Sequence, residues 1–329
     1  MPVIPRGEAP LLITVVGPTA IGKTRTAIRI AQAFGAEILS SDSRQFYREI
    51  PIGTAQPSAE ERAMVPHHFV DFLSIRDTYS SGTFESDATQ WLEQHFESRK
   101  QAGLAPIAVM AGGSGLYVQS VHSGFDDIPS DPAVRAALNA QVAQEGLTPL
   151  LEELKSKDPV HYAEVDRANS HRVIRAVEVC RCSGQAYSAL RRNFAAQLTV
   201  HPGGWARHTR RAWDTLTIGL GAPRDWLHNR INDRVHIMLE EGWLSEAERV
   251  LSYRELNALK TVGYPQLFDL IEGKTNMETA TRKIQEATRQ FARRQLTWFH
   301  RQPDVHWIDA RQPDNGVSLA LKLQRDGHL

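Results

Sequence analysis

The chain has little of what would mark it for export or for a bilayer. Its 329 residues hold two cysteines, Cys180 and Cys182, which lie two apart in a helical pattern and cannot frame a disulfide scaffold. A reducing cytoplasm is the expectation. No apolar run reaches the roughly 18 residues of a membrane-spanning helix, and Met1 to Pro10 contain no apolar core of signal-peptide length. Neither secretion nor membrane insertion is expected, and a monomer is. Net charge is also missing: 38 Lys+Arg stand against 38 Asp+Glu, so the molecule as a whole does not advertise a polyanionic partner. Zinc-finger spacings, internal repeats and low-complexity tracts are absent too. What remains is ordinary globular material. A hydrophobic content of 41% supplies a core, and the length suits two domains or one domain with an insertion.

The informative stretch is Gly17-Pro18-Thr19-Ala20-Ile21-Gly22-Lys23-Thr24, directly after the apolar run Leu11–Val16. It fits G-x-x-x-x-G-K-[ST] at every fixed position. Glycines at 17 and 22 let the backbone curl until successive N–H groups face one anion, and the helix opening after Gly22 adds its positive dipole end. Lys23 brings a point charge to the outer phosphate, and the Thr24 hydroxyl suits a Mg²⁺ ion. A phosphate or diphosphate is expected here, and the loop alone does not say which.

A second apolar strand pattern, Ala36–Ser40, runs into Ser41-Asp42-Ser43-Arg44-Gln45, and a third, Pro106–Met110, runs into Ala111-Gly112-Gly113-Ser114-Gly115. The carboxyl ends of parallel strands line the ligand crevice of an open α/β sheet. Asp42 there is either a functional carboxylate or a cap for the next helix. The second glycine turn either approaches a phosphate, with the Ser114 hydroxyl beside it, or simply joins strand to helix. Residues 51–62 read as loop, and His67–Asp71 as a short strand. The adjacent histidines 67 and 68 point to opposite faces of such a strand, which argues against a shared metal.

From Gly124 the pattern turns helical, with Asp131-Pro132 and Asp158-Pro159 as helix starts. Strand character returns at Asp214–Leu220. The expected architecture is α/β: a P-loop-type parallel sheet flanked by helices, with an inserted all-helical domain. The boundaries are 1–123 and 206–329 for the core and 124–205 for the insertion. Between His171 and Asn193 the basic side chains Arg172, Arg175, Arg181, Arg191 and Arg192 face one acid, Glu178. Arg207, Arg210 and Arg211 follow, with His201 and His208 nearby. So few acids nearby suggest that a nucleic-acid backbone replaces them. Arg224 and Arg230 open a later helix, with Arg234 on the face of Arg230. They are either surface arginines paired along the helix or a fork for a diphosphate. Met277–Arg301 carries Arg282, Lys283, Arg289, Arg293, Arg294 and Arg301 among aromatics, a second candidate nucleic-acid surface.

With these motifs assembled, the chain resembles the tRNA dimethylallyltransferase family. The match runs from about Leu11 to Trp307. Its most specific strings are Ser41-Asp42-Ser43-Arg44-Gln45 and Arg293-Arg294-Gln295-Leu296-Thr297-Trp298-Phe299, with Pro66-His67-His68 and Arg175-Ala176-Val177-Glu178 between them. The resemblance implies that the P-loop holds the diphosphate of dimethylallyl diphosphate rather than ATP. It implies attack by the exocyclic amine of the adenosine beside the anticodon of tRNA, with diphosphate leaving. Asp42 would accept the amine proton, Ser114 (commonly threonine in the family) would orient the diphosphate, and Arg224 and Arg230 would neutralise the leaving group. Asp42, Ser43, Arg44 and Gln45, and the run His171, Arg172, Val173, Ile174 and Arg175, would touch tRNA. Ile21 stands where the family has a small residue, its side chain expected to point away from the anion. Asn169–Val173 departs from the usual run. A P-loop phosphotransferase and a non-catalytic RNA-binding protein are the competing classes.

Overall fold

A central sheet organises the chain. The computed structural model describes residues 9–126, 128–191, 198–200 and 205–325. Arg192 and His201, two of the basic side chains counted above, lie outside them. The chain divides into two compact units, residues 1–124 with 198–329, and residues 125–197. The strands are β1 (Leu11–Val16), β2 (Ile38–Ser40), β3 (His67–His68), β4 (Ile107–Gly112), β5 (Leu198–Val200), β6 (Ala206–His208), β7 (Asp214–Gly221) and β8 (Val305–Asp309).

They form one sheet in the order β3-β2-β4-β1-β7-β6-β5, with β8 also paired to β7. All pairings from β3 to β7 and on to β8 are parallel, whereas β5 and β6 run antiparallel. β6 lies along the first residues of β7 and β8 along the last, so one strand edge serves two partners. β1 is buried along its whole length, which is why it reads as a continuous apolar run rather than an alternating one. Leu11, Ile13 and Val15 pack into a core shared with the helices Lys23–Phe34 and Asp314–Arg325, while Leu12 and Val16 join Phe84, Leu92 and Val121 of two helices on the opposite core. A third core gathers Trp243, Tyr264, Phe268 and Ile284 from the helices after β7.

Two local expectations change. Residues 51–62 contain two short helices, Pro51–Thr54 and Ala59–Met64, the second opened by a reciprocal Ser58–Glu61 capping box. The strand expected over 67–71 stops at His68, because Phe69 and Asp71 take positive φ of 58° and 59°, which breaks the extended backbone.

In the second unit the described residues form helices and no strand. Asp131 caps Pro132–Glu145 through the amides of Ala133 and Val134, and Asp158 caps Pro159–Glu164 through the amide of His161. Leu138, Leu150, Leu154, Val173 and Val177 fill its core. The sheet takes the chain back at Leu198. Leu198–Val200, placed by the sequence within the helical insertion, and Ala206–His208, in the basic stretch after it, form β5 and β6.

Candidate active site

Strand register decides what meets at the carboxyl end of the sheet. Val16 of β1 aligns with Gly112 of β4 and Gly219 of β7, and Ser40 of β2 aligns with Ala111. The loops after β1, β2 and β4 therefore leave side by side. They carry the P-loop, Asp42 and the Gly113–Ser114 turn.

Gly22 sits at φ 104° as the N-cap of the Lys23–Phe34 helix, a conformation open to glycine and strained for other residues. Ile21 is buried in the core behind the loop, pointing away from its concave side as expected. Lys23 Nζ donates to the carbonyl of Pro18 at 2.9 Å. Desolvation lowers its pKa to about 8. The charge of Asp42 pulls the value back up, and Arg234 pushes it further down.

Asp42 stands in a turn, and the next helix begins only at Pro51. The helix-cap alternative therefore has no helix to cap. Asp42 Oδ1 accepts the Arg44 amide at 3.1 Å, an Asx-type turn that fixes the carboxylate. Gln45 ties this turn to its surroundings: Ser40 Oγ donates to its Oε1 at 2.9 Å, and its Nε2 donates to the Ala55 carbonyl at 2.9 Å. The Ser43 amide donates to Ser114 Oγ at 3.2 Å, joining the β2 and β4 loops.

These groups line two adjoining spaces. A cavity of about 60 Å³ is bounded by Thr19, Lys23, Thr24, Ser40, Asp42, Thr54, His67 and Arg234 among others. It shares Thr19, Asp42, Thr54, Ala55 and Arg234 with a cleft of about 760 Å³ that adds Ser43, Arg44, Ser114 and the side chains of Tyr117, Trp243, Phe291, Arg294 and Trp298. One space is small and charged; the other is broad and aromatic.

Two of these residues had no role in the sequence reading. Arg234 was placed only by spacing, on the face of Arg230. Burial pushes its pKa down while Asp42 pulls it up, so the two face each other electrostatically. His67 hydrogen-bonds through Nδ1 to the Val65 carbonyl at 2.8 Å, and burial pushes its pKa below the ordinary range. Its Nε2 is buried and makes no hydrogen bond. His68 turns the other way and pairs with Glu37 at 2.6 Å, as strand alternation requires. The short helix Pro51–Thr54, whose end lines the cavity, is held from beneath by Glu246, a fully buried carboxylate. It accepts the amides of Ile52 and Gly53, each at 2.8 Å, and the Tyr264 hydroxyl at 2.6 Å.

The structure separates the two arginines expected to act together. Arg230 Nε donates to the P-loop carbonyl of Ala20 at 2.9 Å and lies over the Trp226 ring. Arg224 instead lines a different cleft of about 570 Å³, with His228, Arg289 and Arg293. The two arginines are six residues apart on one helix, enough to turn them onto different faces.

The residues expected to contact tRNA also divide. In the second unit Val173 and Ile174 are 0% and 4% exposed, packed in its core, and available to no partner without unpacking it. Arg175 is spent on Glu178 and on the carbonyls of Ile128 and Pro129. His171 and Arg172 are exposed. Arg175 shares Glu178, on its own helix, with Arg135 of another, and the acid that seemed to be missing for Arg181 comes from a different helix, Glu153 at 2.6 Å. In the first unit Arg207 pairs with Asp214 and Arg211 with Glu85, so that stretch serves the fold. On Met277–Phe299, Arg282 pairs with Glu286 and Arg289 donates to Asn232, whereas Arg293 and Arg294 are exposed.

A sequence model of the family described as IPP transferase matches residues 45–302. A tRNA dimethylallyltransferase 2 from Parabacteroides distasonis is 43% identical over 315 residues, covering 95% of this chain and 98% of that one. The chain belongs to the tRNA dimethylallyltransferase family. Another member, from Christiangramia forsetii, is 43% identical over 299 residues, covering 91% and 93% of the two chains. The solved structure of the full-length tRNA isopentenylpyrophosphate transferase from Bacillus halodurans superposes with a TM-score of 0.65 at 31% identity, covering 96% of this chain and 97% of that one. Among the described residues of this tRNA dimethylallyltransferase family member, no helix is long and apolar enough to cross a membrane.

Proposed function

We propose that the protein transfers a dimethylallyl group from dimethylallyl diphosphate to the exocyclic amine of the adenosine beside the anticodon of a tRNA, in the cytoplasm. The observation that carries this reading is the joining of two unlike spaces: a charged cavity holding Lys23, Asp42 and Arg234, opening into a cleft walled by Tyr117, Phe291 and Trp298. The first suits a diphosphate, and the second suits a base drawn out of its stack.

The roles follow from position. Lys23, the loop amides and Arg234 balance the diphosphate charge. That balance matters most as the allylic C–O bond breaks and its electron pair leaves on oxygen. The adenine nitrogen supplies the pair for the new C–N bond. Asp42 receives the proton that the nitrogen must lose, its carboxylate held by the Arg44 amide. Ser114, bonded to Ser43, orients the ligand from the β4 side. Arg230 acts through the loop carbonyl it holds. Thr24, Ser40 and Asp42 present oxygen donors to the same cavity. No group of three His, Cys, Asp or Glu that could hold a metal occurs among the described residues. That donor set fits Mg²⁺, a hard cation that takes most of its ligands from phosphate and water. Thr24 would hold it, and when bound it would offset negative charge on the departing diphosphate. Arg172, Arg293 and Arg294 are exposed cations for the RNA backbone, with His171 an exposed hydrogen-bonding side chain beside Arg172.

The test supplies the protein with labelled dimethylallyl diphosphate or labelled ATP and an unmodified tRNA. Transfer of the prenyl label to RNA is expected. Consumption of ATP with no prenyl transfer would replace this reading with a phosphotransferase.

A further inference from the structure

Gln295 lies on the helix Met277–Phe299, far in sequence from both glycine loops, and is only 5% exposed. Its Oε1 accepts the amide of Thr19, within the P-loop, at 2.8 Å. Its Nε2 donates to the carbonyl of Gly113, in the turn after β4, at 3.0 Å. One orientation of the amide satisfies both groups; the flipped one would oppose donor to donor and acceptor to acceptor. The neighbouring backbone is shaped to receive it, since a Cβ at Gly113 would overlap Gln295 Nε2.

We infer that Gln295 is a positioning residue of the diphosphate site, a clamp that fixes the spacing between the P-loop and the Ser114 turn. The clamp takes the Thr19 amide out of the set that faces the anion, so the concave surface is built from the later amides of the loop and from Lys23. It also fixes Gly113 next to Ser114, whose hydroxyl is bonded to Ser43 in the Asp42 turn. A single side-chain amide thereby sets the relative position of the loop that binds the leaving group and the two turns beside it. Backbone polar groups buried at such a junction need partners, and an apolar side chain of equal length leaves both unpaired.

The inference rests on the diphosphate reading of the loop, so the experiment separates the two. Inorganic diphosphate with Mg²⁺ is titrated into wild-type protein and into Gln295→Met, with melting curves and tRNA affinity measured in parallel. In the folded variant the diphosphate Kd and the KM for dimethylallyl diphosphate are expected to rise about tenfold, the size of one or two lost hydrogen bonds. tRNA affinity is expected to stay within about twofold of wild type, as measurement error allows. A folded variant that binds diphosphate as wild type does, or that loses tRNA and diphosphate affinity equally, overturns the clamp. Amide exchange on the unliganded wild-type protein gives a second measurement that needs no variant: Thr19 is expected to be protected, and rapid exchange there overturns the clamp as well. A wild-type protein that ignores inorganic diphosphate while Thr19 is protected overturns the ligand reading instead.

Discussion

Arg230 donates from Nε to the carbonyl of Ala20, the one non-glycine residue of the P-loop held at positive φ, 63°. A left-handed alanine costs on the order of 1 kcal/mol, and the arginine holds the peptide that follows it in place. This makes Arg230 a brace for the loop as well as a positive charge near it. Arg230→Lys keeps the charge and loses the Nε donor, and lysine does not reproduce the planar fork. The KM for dimethylallyl diphosphate is expected to rise about tenfold, the scale of one charged hydrogen bond. If charge alone matters, steady-state kinetics will find lysine nearly equivalent.

Lys23 gives the site a pH dependence. Its pKa of about 8 in the folded protein lies below the ordinary lysine value of 10.5. Below pH 8 it is charged in both the folded and the unfolded chain. Between these values the unfolded chain binds more protons, so this group's contribution to fold stability rises with pH across that window. Anion binding moves oppositely, because the free protein loses its ammonium as pH passes 8. Diphosphate affinity measured by calorimetry is expected to fall above pH 8 in the wild type relative to Lys23→Arg, which remains charged. Parallel profiles for the two proteins would contradict this.

Asp42→Asn keeps shape and can still accept the Arg44 amide, but it takes up no proton. Single-turnover transfer with saturating tRNA is expected to slow by about 10² to 10⁴, the usual worth of a general base, with diphosphate affinity little changed. A near-wild-type rate would reduce Asp42 to the turn-former that its hydrogen bond already makes it.

Arg293 is exposed and has no ion-pair partner among the described residues, whereas Arg289 is engaged by Asn232 at 2.8 Å. Charge reversal at Arg293 is expected to weaken tRNA binding more at low salt than at high salt, since a phosphate contact releases counterions. The melting curve should stay put. Reversal at Arg289 should lower both affinity and melting temperature. Binding isotherms at two salt concentrations, alongside thermal scans, check both statements.

The sequence was most legible where chemistry and backbone geometry coincide. The glycines of the P-loop, the strand-end position of Asp42 and the proline-started helices at 132 and 159 are local facts, and local order reveals them. Pairing across long separations was not legible. Arg181 looked unpartnered because Glu153 sits on another helix, and Arg135, on a third, shares the Glu178 that Arg175 reaches within its own helix. Val173 and Ile174 came as part of a motif string, yet helix periodicity turns them inward while their neighbours face out. Arg234 carried no local signal of its importance, and Gln295 stood inside a family string with no role attached to it: each depends on a helix finding the loop ends of strands made far earlier. Glu246 is the same case, an acid in an unremarkable helix that supports the wall of the cavity.

The central strand of the sheet waits a long time for one of its neighbours. β1 pairs with β4 on one side, but on the other it depends on β7, just over two hundred residues further along, as the match of Leu11 to Asp214 requires. During synthesis the ribosome must therefore release the whole helical unit before that edge of β1 can be covered. Until then an apolar edge strand lies open, the template on which unrelated chains add themselves. Fragments that stop at Gly124 carry the entire P-loop and still keep that edge bare. Nascent-chain protection and soluble yield are therefore expected to follow the timing of β7 rather than the strength of the motif that opens the chain.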